Sequence, residues 1–250
     1  MRHIIIGDIH GCLSELMTMI QDLNLDADDK LYFIGDLIDR GPDSLGVVKY
    51  VRDLSDKYFT ILILGNHEEK LLRFIHHKKI NGEHTFKMQD VNNINSLVDS
   101  LSITDIDFLS SSYLNYTIRD ENIFLVHGGI PENLKFDFKD NFKYSYELLK
   151  ANKGLELILK TRYLDDFGNF IGLGKEDENS IFWANKYKGQ YGKIIFGHHA
   201  IISERPKEYI NAINIDTGCV FGGWLSCYII ENNQFYYKSV KANQVYYKRN

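Results

Sequence analysis

The sequence predicts an α/β fold in which a parallel sheet with crossover helices is completed by antiparallel strands. Within the first 68 residues, three short apolar segments each end in glycine and polar residues and are each followed by a helical pattern. This βαβαβ order is typical of parallel strands joined by crossover helices. Beyond residue 112, apolar segments follow one another across short polar turns, which indicates antiparallel pairing.

Length and composition indicate one large soluble domain. The chain has 250 residues and a mass of 29.1 kDa, so we expect a single domain over 1–250 with a cap inserted in it. Hydrophobic residues make up 44% and charged residues 25%, both ordinary for soluble proteins. A net charge of −5 and a pI near 6.0 provide no general attraction to nucleic acid or anionic membranes, so neither is an expected partner.

The cysteines and the apolar segments indicate a cytoplasmic protein. Cys12, Cys219 and Cys227 form no CxxC pair, and their odd number favours reduced thiols over a disulfide framework. The chain enters its first strand without a secretory signal, and its longest apolar segments are far too short to span a membrane.

The first three strands each lead into a polar motif. Residues 3–6 form the first strand, which is followed by GDIHG at 7–11 and an amphipathic helix. Residues 31–34 form the second strand. Residues 59–64 form the third, which ends in GNHE at 65–68.

The end of the second strand concentrates charge. Asp36, Asp39 and Arg40 lie within five residues, and such groups are costly to desolvate without partners. Two interpretations are open: the acids cap the next helix and pair with Arg40, or all three belong to a functional site. Because the neighbouring strands also end in polar residues, the functional interpretation is favoured.

Residues 69–112 interrupt the alternation of strands and helices and are interpreted as an inserted helical cap. A second helical pattern in this range runs from Leu97 to Leu109, with a capping box predicted at Thr104 and Asp107. Three histidines of the cap lie among lysines and are interpreted as a solvated face rather than a metal site: His76, His77 and His84.

The second half of the chain contains further strands with polar ends. They are predicted at 113–118, 122–126, 193–196 and 209–215. The last three of these end in His-Gly-Gly, Gly-His-His and Asp-Thr-Gly. A mostly helical stretch and a Gly-rich loop at 168–174 lie between the strands at 122–126 and 193–196. A hairpin turning at Asn232-Asn233, then a loose tail or edge strand, complete the chain.

The polar strand ends predict a metal site. Ligands of open α/β sheets bind in the crevice outside the carboxyl ends of the strands. Six side chains are thereby directed to one place: Asp8, His10, Asp36, Asn66, His127 and His198. Nitrogen and oxygen donors without thiolate suit Mn²⁺, Fe or Zn²⁺, and six groups exceed the needs of one tetrahedral ion, so two metals are predicted. A lone histidine would more often be a core residue, but here four histidines lie at strand ends.

Five motifs in order resemble the phosphoprotein phosphatase class of calcineurin-like metallophosphoesterases: GDIHG, GDLIDRG, GNHE, HGG and GHH. The resemblance covers residues 1–68 closely and 120–130 and 194–230 well, but not the cap or 131–160. It implies a β-sandwich of mixed sheets flanked by helices, with an inserted helical cap. The segment IDTGCVFGGWLSCYI, with Thr-Arg-Tyr at 161–163, is similar to bacterial symmetrical diadenosine tetraphosphatases.

The resemblance also implies roles for the metal ligands. One divalent ion would take Asp8, His10 and Asp36, and a second would share Asp36. The remaining ligands of the second ion would be Asn66, His127 and His198. Mn²⁺ is the favoured metal, with Fe or Zn as alternatives, and a water activated between the ions would attack phosphorus in line.

Four further residues resemble the catalytic groups of the family. His67 would protonate the leaving oxygen, with Asp39 holding its ring. Arg40 resembles the phosphate clamp, since a guanidinium fork suits two phosphate oxygens. A second clamp is assigned to Arg162, with Arg205 as the competing candidate.

Three classes of function follow. The favoured class is a two-metal phosphoesterase, and within it the favoured function is a Ser/Thr protein phosphatase that acts on a phosphorylated protein. The alternative substrate is a dinucleoside polyphosphate, cleaved symmetrically to two ADP in the case of diadenosine tetraphosphate. A nuclease is disfavoured by the acidic charge balance, and a non-catalytic binding module is disfavoured because no motif residue is missing.

Overall fold

The computed structural model describes residues 1–81 and 91–248, and the side chains of all of these except 81 and 91–95. His84 and the middle of the predicted cap therefore lie outside the described residues, as do residues 249–250. Within the described part of the chain, no helix is both long and apolar enough to cross a bilayer.

The strands and helices alternate along the chain. The strands are β1 (His3–Ile6), β2 (Lys30–Phe33), β3 (Phe59–Leu62), β4 (Asn115–Ile118), β5 (Ile123–Val126), β6 (Tyr163–Leu164), β7 (Phe170–Ile171), β8 (Ile181–Phe182), β9 (Lys193–Phe196), β10 (Lys207–Glu208), β11 (Ala212–Asn214), β12 (Trp224–Glu231) and β13 (Gln234–Lys241). The α-helices are α1 (Leu13–Leu23), α2 (Ser44–Ser55), α3 (Asn66–Asn81), α4 (Val91–Ser100), α5 (Ile103–Ser110), α6 (Tyr146–Ala151) and α7 (Trp183–Lys186).

Two five-stranded mixed sheets form the framework. The first has the order β13-β12-β1-β2-β3, in which β1, β2 and β3 are parallel and the hairpin β12–β13 is antiparallel. The second has the order β10-β11-β9-β5-β4, in which β11, β9 and β5 are parallel and the two outer strands are antiparallel. The predicted parallel start, the antiparallel pair β4–β5 and the C-terminal hairpin are confirmed.

The sheets pack face to face because buried residues alternate along the strands. On β1, Ile5 packs between the sheets with Leu125 and Ile195 of the second sheet, whereas Ile4 and Ile6 join the core beneath the helices. All five are buried. The fold is therefore a sandwich of mixed sheets flanked by helices, as predicted.

The predicted helix at 97–109 is two helices, because Ser102 caps α5. Its hydroxyl accepts a hydrogen bond from the Asp105 backbone N–H, and the Asp105 carboxylate accepts from the Ser102 N–H at 2.9 Å. The capping box predicted at Thr104 and Asp107 is thus wrong by two residues. The function of 69–112 as a cap stays a prediction.

Two other segments differ from expectation. The Gly-rich segment predicted as a loop contains β7, which pairs with β6, and β6 also pairs with β8 in a small antiparallel sheet. Residues 242–248, the described part of the tail after β13, are neither loose nor an edge strand. The backbone N–H groups of Tyr246 and Tyr247 both donate to the Val220 carbonyl, at 3.0 and 2.9 Å.

Candidate metal centre and active site

The predicted ligands come from both sheets. Asn66 is the first residue of α3, which follows β3, and the other five lie in the loops after β1 and β2 of the first sheet and after β5 and β9 of the second: Asp8, His10, Asp36, His127 and His198. All except Asn66 are buried. The structure therefore brings the six residues together where the carboxyl ends of the two sheets meet, as topology requires.

Asp36 lies at the centre of this group. One of its carboxylate oxygens is 3.3 Å from Nε2 of His127, and the other is 3.4 Å from Nε2 of His10 and 3.9 Å from Nε2 of His67. Two triplets, each with donor atoms within 4.8 Å of one another, share this residue: His10–Asp36–His67 and Asp36–His127–His198. Both triplets include Asp36, whose role as a bridge between two ions stays a prediction.

Backbone carbonyls orient two of the histidine rings. Nδ1 of His10 donates to the Ile38 carbonyl at 2.9 Å, and Nδ1 of His127 donates to the Ile34 carbonyl at 2.7 Å. Because carbonyls only accept, the proton of each neutral ring lies on Nδ1 and Nε2 offers its lone pair. This is the arrangement that proteins use to orient histidine ligands of metals.

Strained backbone also concentrates in the site. Five of the predicted site residues have positive φ: His10 (47°), Asp36 (50°), Asp39 (74°), Arg40 (70°) and His198 (66°). Non-glycine residues rarely adopt this region, and such strain clusters at functional sites. At the glycines beside these residues, neighbouring atoms lie so close that a side chain would not fit. A Cβ on Gly197 would lie 1.9 Å from an Asp8 oxygen, so only glycine leaves room for that carboxylate.

The donor set fits divalent cations. Oδ1 of Asp8 and both ring nitrogens of His198 are buried without a hydrogen-bond partner among the described residues, although the second Asp8 oxygen accepts from the His198 backbone N–H at 2.9 Å. Oδ1 of Asn66 lies 3.2 Å from Nε2 of His127, so this amide oxygen also faces the donor cluster. Buried acceptors require a cation or donor, so the site residues fit metal binding.

The titration properties of the site reflect this crowding. Burial lowers the pKa of His10 to about 3. Burial alone would raise the pKa of Asp36 and lower that of His127, but their mutual attraction wins. The pKa of Asp36 is held well below its usual range, and that of His127 is raised to about 9. The centre therefore keeps one firmly ionised carboxylate, which favours bound cations.

His67 and Asp39 form a hydrogen-bonded pair beside the donor cluster. Nδ1 of His67 lies 2.8 Å from an Asp39 oxygen, and this bond, opposed by burial, lowers the pKa of Asp39 to about 2. The other ring nitrogen faces Asp36. The His67 ring is thus held by an ionised carboxylate with its Nε2 directed into the site.

Two arginines lie at the donor cluster and a third does not. Nη1 of Arg40 is 2.7 Å from Nε2 of His10, and Nη2 of Arg162 donates to the His198 carbonyl at 3.1 Å. Arg205 is exposed and its guanidinium stacks over the ring of Tyr237, 5.9 Å from the centroid. The geometry supports Arg162 over Arg205 as the second clamp.

Sequence reasoning missed two buried carboxylates. Glu68 is fully buried and accepts from the backbone N–H groups of Asp36, Leu37 and Ile38, at 2.8 to 3.2 Å, so it shapes the loop that carries Asp36. Asp216 is buried, and burial raises its pKa to about 6. Both stand in motifs that were recognised, but three of the backbone partners of Glu68 are distant in sequence, whereas Asp216 accepts from the nearby Gly218 N–H at 3.1 Å.

A cavity of about 740 Å³ opens beside the His67–Asp39 pair, within the size range of ligand pockets. Its walls include Asp39, Arg40 and His67. Apolar side chains from α2, α3 and α4 and the ring of Tyr247 form other parts of the wall. A substrate larger than a phosphate group can therefore extend from the donor cluster into this space.

The fold and the site define a metal-dependent hydrolase of phosphate esters or anhydrides. The family model for calcineurin-like phosphoesterases matches residues 1–223, and the chain belongs to that family. The predicted family is thus confirmed.

Two kinds of relative match the chain over most of its length. A protein of Oceanobacillus iheyensis named bis(5′-nucleosyl)-tetraphosphatase PrpE (asymmetrical) is 31% identical, with 92% of this chain and 89% of the relative covered. A protein of Pseudomonas putida named bis(5′-nucleosyl)-tetraphosphatase, symmetrical, is 29% identical, with 92% and 90% covered.

Solved structures support the fold. A crystal structure provisionally named a diadenosine tetraphosphatase superposes with a TM-score of 0.71 at 23% identity, covering 96% of this chain and 93% of the other. A protein serine/threonine phosphatase of Saccharomyces cerevisiae superposes with a TM-score of 0.63 at 14% identity, covering 97% and 80%. At such identities the likeness concerns the fold alone.

Proposed function

We propose that the protein hydrolyses dinucleoside tetraphosphates. The observation that carries this proposal is the similarity of about 30% to named tetraphosphatases over nine-tenths of the chain, including segments outside the metal motifs. The order of the sequence-based hypotheses is thereby reversed, because GNHE and HGG contribute to a metal centre that phosphatases and tetraphosphatases have in common. A cavity beside the centre also suits a substrate that extends beyond one phosphate.

The donor cluster would hold two divalent ions. We assign Asp8, His10 and Asp36 to one and Asp36, Asn66, His127 and His198 to the other, with Mn²⁺ as the favoured metal. When bound, the ions supply positive charge for the phosphate oxygens and activate water for attack on phosphorus.

The protein side chains would supply the remaining steps. His67 donates a proton from Nε2 to the leaving phosphate oxygen, and Asp39 keeps the ring in the required orientation through its 2.8 Å bond. Arg40 and Arg162 bind non-bridging phosphate oxygens, where their charge offsets that of the substrate.

An assay panel with Mn²⁺ tests the proposal. The substrates are diadenosine tetraphosphate, a phosphoserine/phosphothreonine peptide and single-stranded DNA, with the Asp36→Asn variant as the control for contaminating activity. We expect kcat/KM for the dinucleotide to exceed that for the peptide at least about a hundredfold. Chromatography of the products distinguishes symmetrical cleavage to two ADP from asymmetrical cleavage to ATP and AMP.

Other outcomes of the panel are equally informative. A preference for the peptide would restore the Ser/Thr phosphatase hypothesis. Turnover of DNA alone would contradict both.

A further inference from the structure

The C-terminal segment 242–247 is fastened to the loop that follows Asp216-Thr217-Gly218. The Ala242 N–H donates to the Gly223 carbonyl at 3.0 Å, and two more backbone bonds join Tyr246 and Tyr247 to the Val220 carbonyl. The C-terminal segment is therefore joined in one unit to a loop that begins at the active site.

A buried carboxylate of α1 anchors the same segment. Glu15 is 1% exposed, and its Oε1 accepts from the Asn243 N–H and from the Tyr246 hydroxyl, both at 2.8 Å. Burying a carboxylate is costly, so an arrangement that uses one to hold a surface segment indicates that the position of that segment matters.

The anchored segment places an aromatic ring at the wall of the active-site cavity. Tyr247 lines the cavity but remains 44% exposed. Its centroid is 6.2 Å from that of Phe221 and 6.0 Å from Cζ of Arg40. Leucine side chains line other parts of the cavity: Leu45, Leu71 and Leu97. An exposed ring next to a phosphate-binding arginine offers a flat apolar surface where a base attached to that phosphate can stack.

We propose that Tyr247 is the stacking platform for a nucleoside of the substrate, whose phosphate is bound by Arg40. The inference rests on the proposed function and identifies a subsite for a nucleoside diphosphate moiety. Stacking suits an exposed tyrosine because every base has a π-face, and loss of such a contact weakens binding of one base by roughly 5- to 100-fold.

A purely structural role for Tyr247 makes a different prediction. If its ring only steadies the Arg40 guanidinium, its removal weakens binding of every phosphate ligand equally. If the ring stacks on the base, its removal weakens only ligands that carry a nucleoside. ADP and inorganic pyrophosphate separate the two cases, because both carry two phosphates but only ADP carries a nucleoside.

Calorimetric titration of the full chain with saturating Mn²⁺ tests the proposal. ADP and inorganic pyrophosphate are titrated into the wild type and the Tyr247→Ala, Tyr247→Phe and Tyr237→Ala variants. We expect Tyr247→Ala to weaken ADP by about 5- to 100-fold and pyrophosphate by less than about twofold. Tyr247→Phe retains the ring and should keep wild-type affinities. Tyr237 is an exposed tyrosine of β13 beside Arg205, so its variant is the matched control.

Each contrary result overturns the stacking platform. These results are an unchanged ADP affinity in Tyr247→Ala, equal weakening of both ligands, a loss in Tyr247→Phe as large as in Tyr247→Ala, or no ADP binding to the wild type. Thermal melts of each variant exclude unfolding as the cause. Failure of the dinucleotide assay alongside the expected ADP result would remove the proposed reaction and leave the nucleoside subsite standing.

Discussion

At the level of single residues, Asp36 is the group on which most of the site depends. Its carboxylate faces the rings of His10, His67 and His127, and its backbone N–H is bound by the buried carboxylate of Glu68. Its φ of 50° sets the chain turn that directs the side chain inward. A substitution at this position disturbs both donor triplets together, which no other ligand can do to the same extent.

The assignment of His67 as general acid predicts a dependence on the leaving group. His67→Asn should retain bound metal but lose turnover by roughly 10²- to 10⁴-fold, because the leaving oxygen then departs without a proton. The deficit should shrink with p-nitrophenyl phosphate, whose leaving group is already stable. Kinetics on good and poor leaving groups, with metal analysis of the same samples, measure both effects. Equal losses on the two substrates, or loss of metal, would assign His67 to ligation instead.

The two candidate clamps differ sharply in position, so their variants should differ in activity. Arg162→Ala removes a partly buried guanidinium next to His198 and should lower kcat/KM by the equivalent of roughly 2–4 kcal/mol. Arg205→Ala is the matched control and should stay within about twofold of wild type, since its partner is the surface residue Tyr237. Steady-state kinetics on the dinucleotide decide the matter. The reverse pattern would show that Arg205 moves to the substrate.

The convergence of the predicted ligand residues could be foreseen because it follows from strand order alone. Once His10 and Asp36 stand at the ends of parallel strands, the sheet places them side by side. The role of Glu68 was not predictable in this way. Its three backbone partners lie about thirty residues earlier in the chain and are reached only when α3 packs against the loop after β2.

At the level of elements, the start of α5 is the clearest departure from the predicted pattern. Asp105 is fully buried, bonds the Ser102 backbone and hydroxyl, and forms an ion pair with Arg52 of α2. Sequence pattern placed the box at Thr104 and Asp107, where the same spacing of residue types recurs two positions later. The burial of Asp105 and its ion pair with Arg52 of α2, which depend on tertiary packing, distinguish the two registers.

Two alanine variants compare the two registers directly. Asp105→Ala should destabilise the protein by about 1–3 kcal/mol, because it removes the carboxylate half of the capping box and the partner of Arg52. Asp107→Ala changes an exposed residue of the same helix and should stay within about 0.5 kcal/mol of wild type. Denaturant unfolding monitored by circular dichroism provides the values. A larger effect for Asp107→Ala would place the cap where the sequence pattern predicted it.

The shortest elements were the least predictable. β6, β7 and β8 have two residues each, too few for a periodic pattern, and they exist because they pair with one another. The tail is similar in kind, since its backbone bonds go to Val220 and its anchor is Glu15. In contrast, the parallel strands of the first sheet are marked by apolar segments that end in glycine and polar residues, and this local pattern can be recognised without knowing which strands pair.

At the scale of the whole molecule, the site joins the two sheets of the sandwich. Asp8, His10 and Asp36 follow strands of the first sheet, and His127 and His198 follow strands of the second. Side chains of the two sheets already meet here, since Oδ1 of Asp36 lies 3.3 Å and Oδ1 of Asn66 lies 3.2 Å from Nε2 of His127. Cations shared between the two ligand sets would therefore connect the sheets at the edge where their carboxyl ends meet.

Metal binding should consequently raise the thermal stability of the whole domain. A ligand at about 100 times its Kd stabilises the folded state by about 2.7 kcal/mol, and 1 kcal/mol shifts Tm by about 2–4 °C at this chain length. We expect Mn²⁺ to raise Tm of the EDTA-treated protein by roughly 5–10 °C and to restore activity lost on chelation. Differential scanning calorimetry and elemental analysis measure this. Asp36→Asn should lose most of the shift, whereas Asp107→Ala should keep it. Full activity after exhaustive chelation, or a Tm indifferent to Mn²⁺, would contradict the two-metal site, because a sandwich with ligands on both sheets cannot bind shared cations without being held together by them.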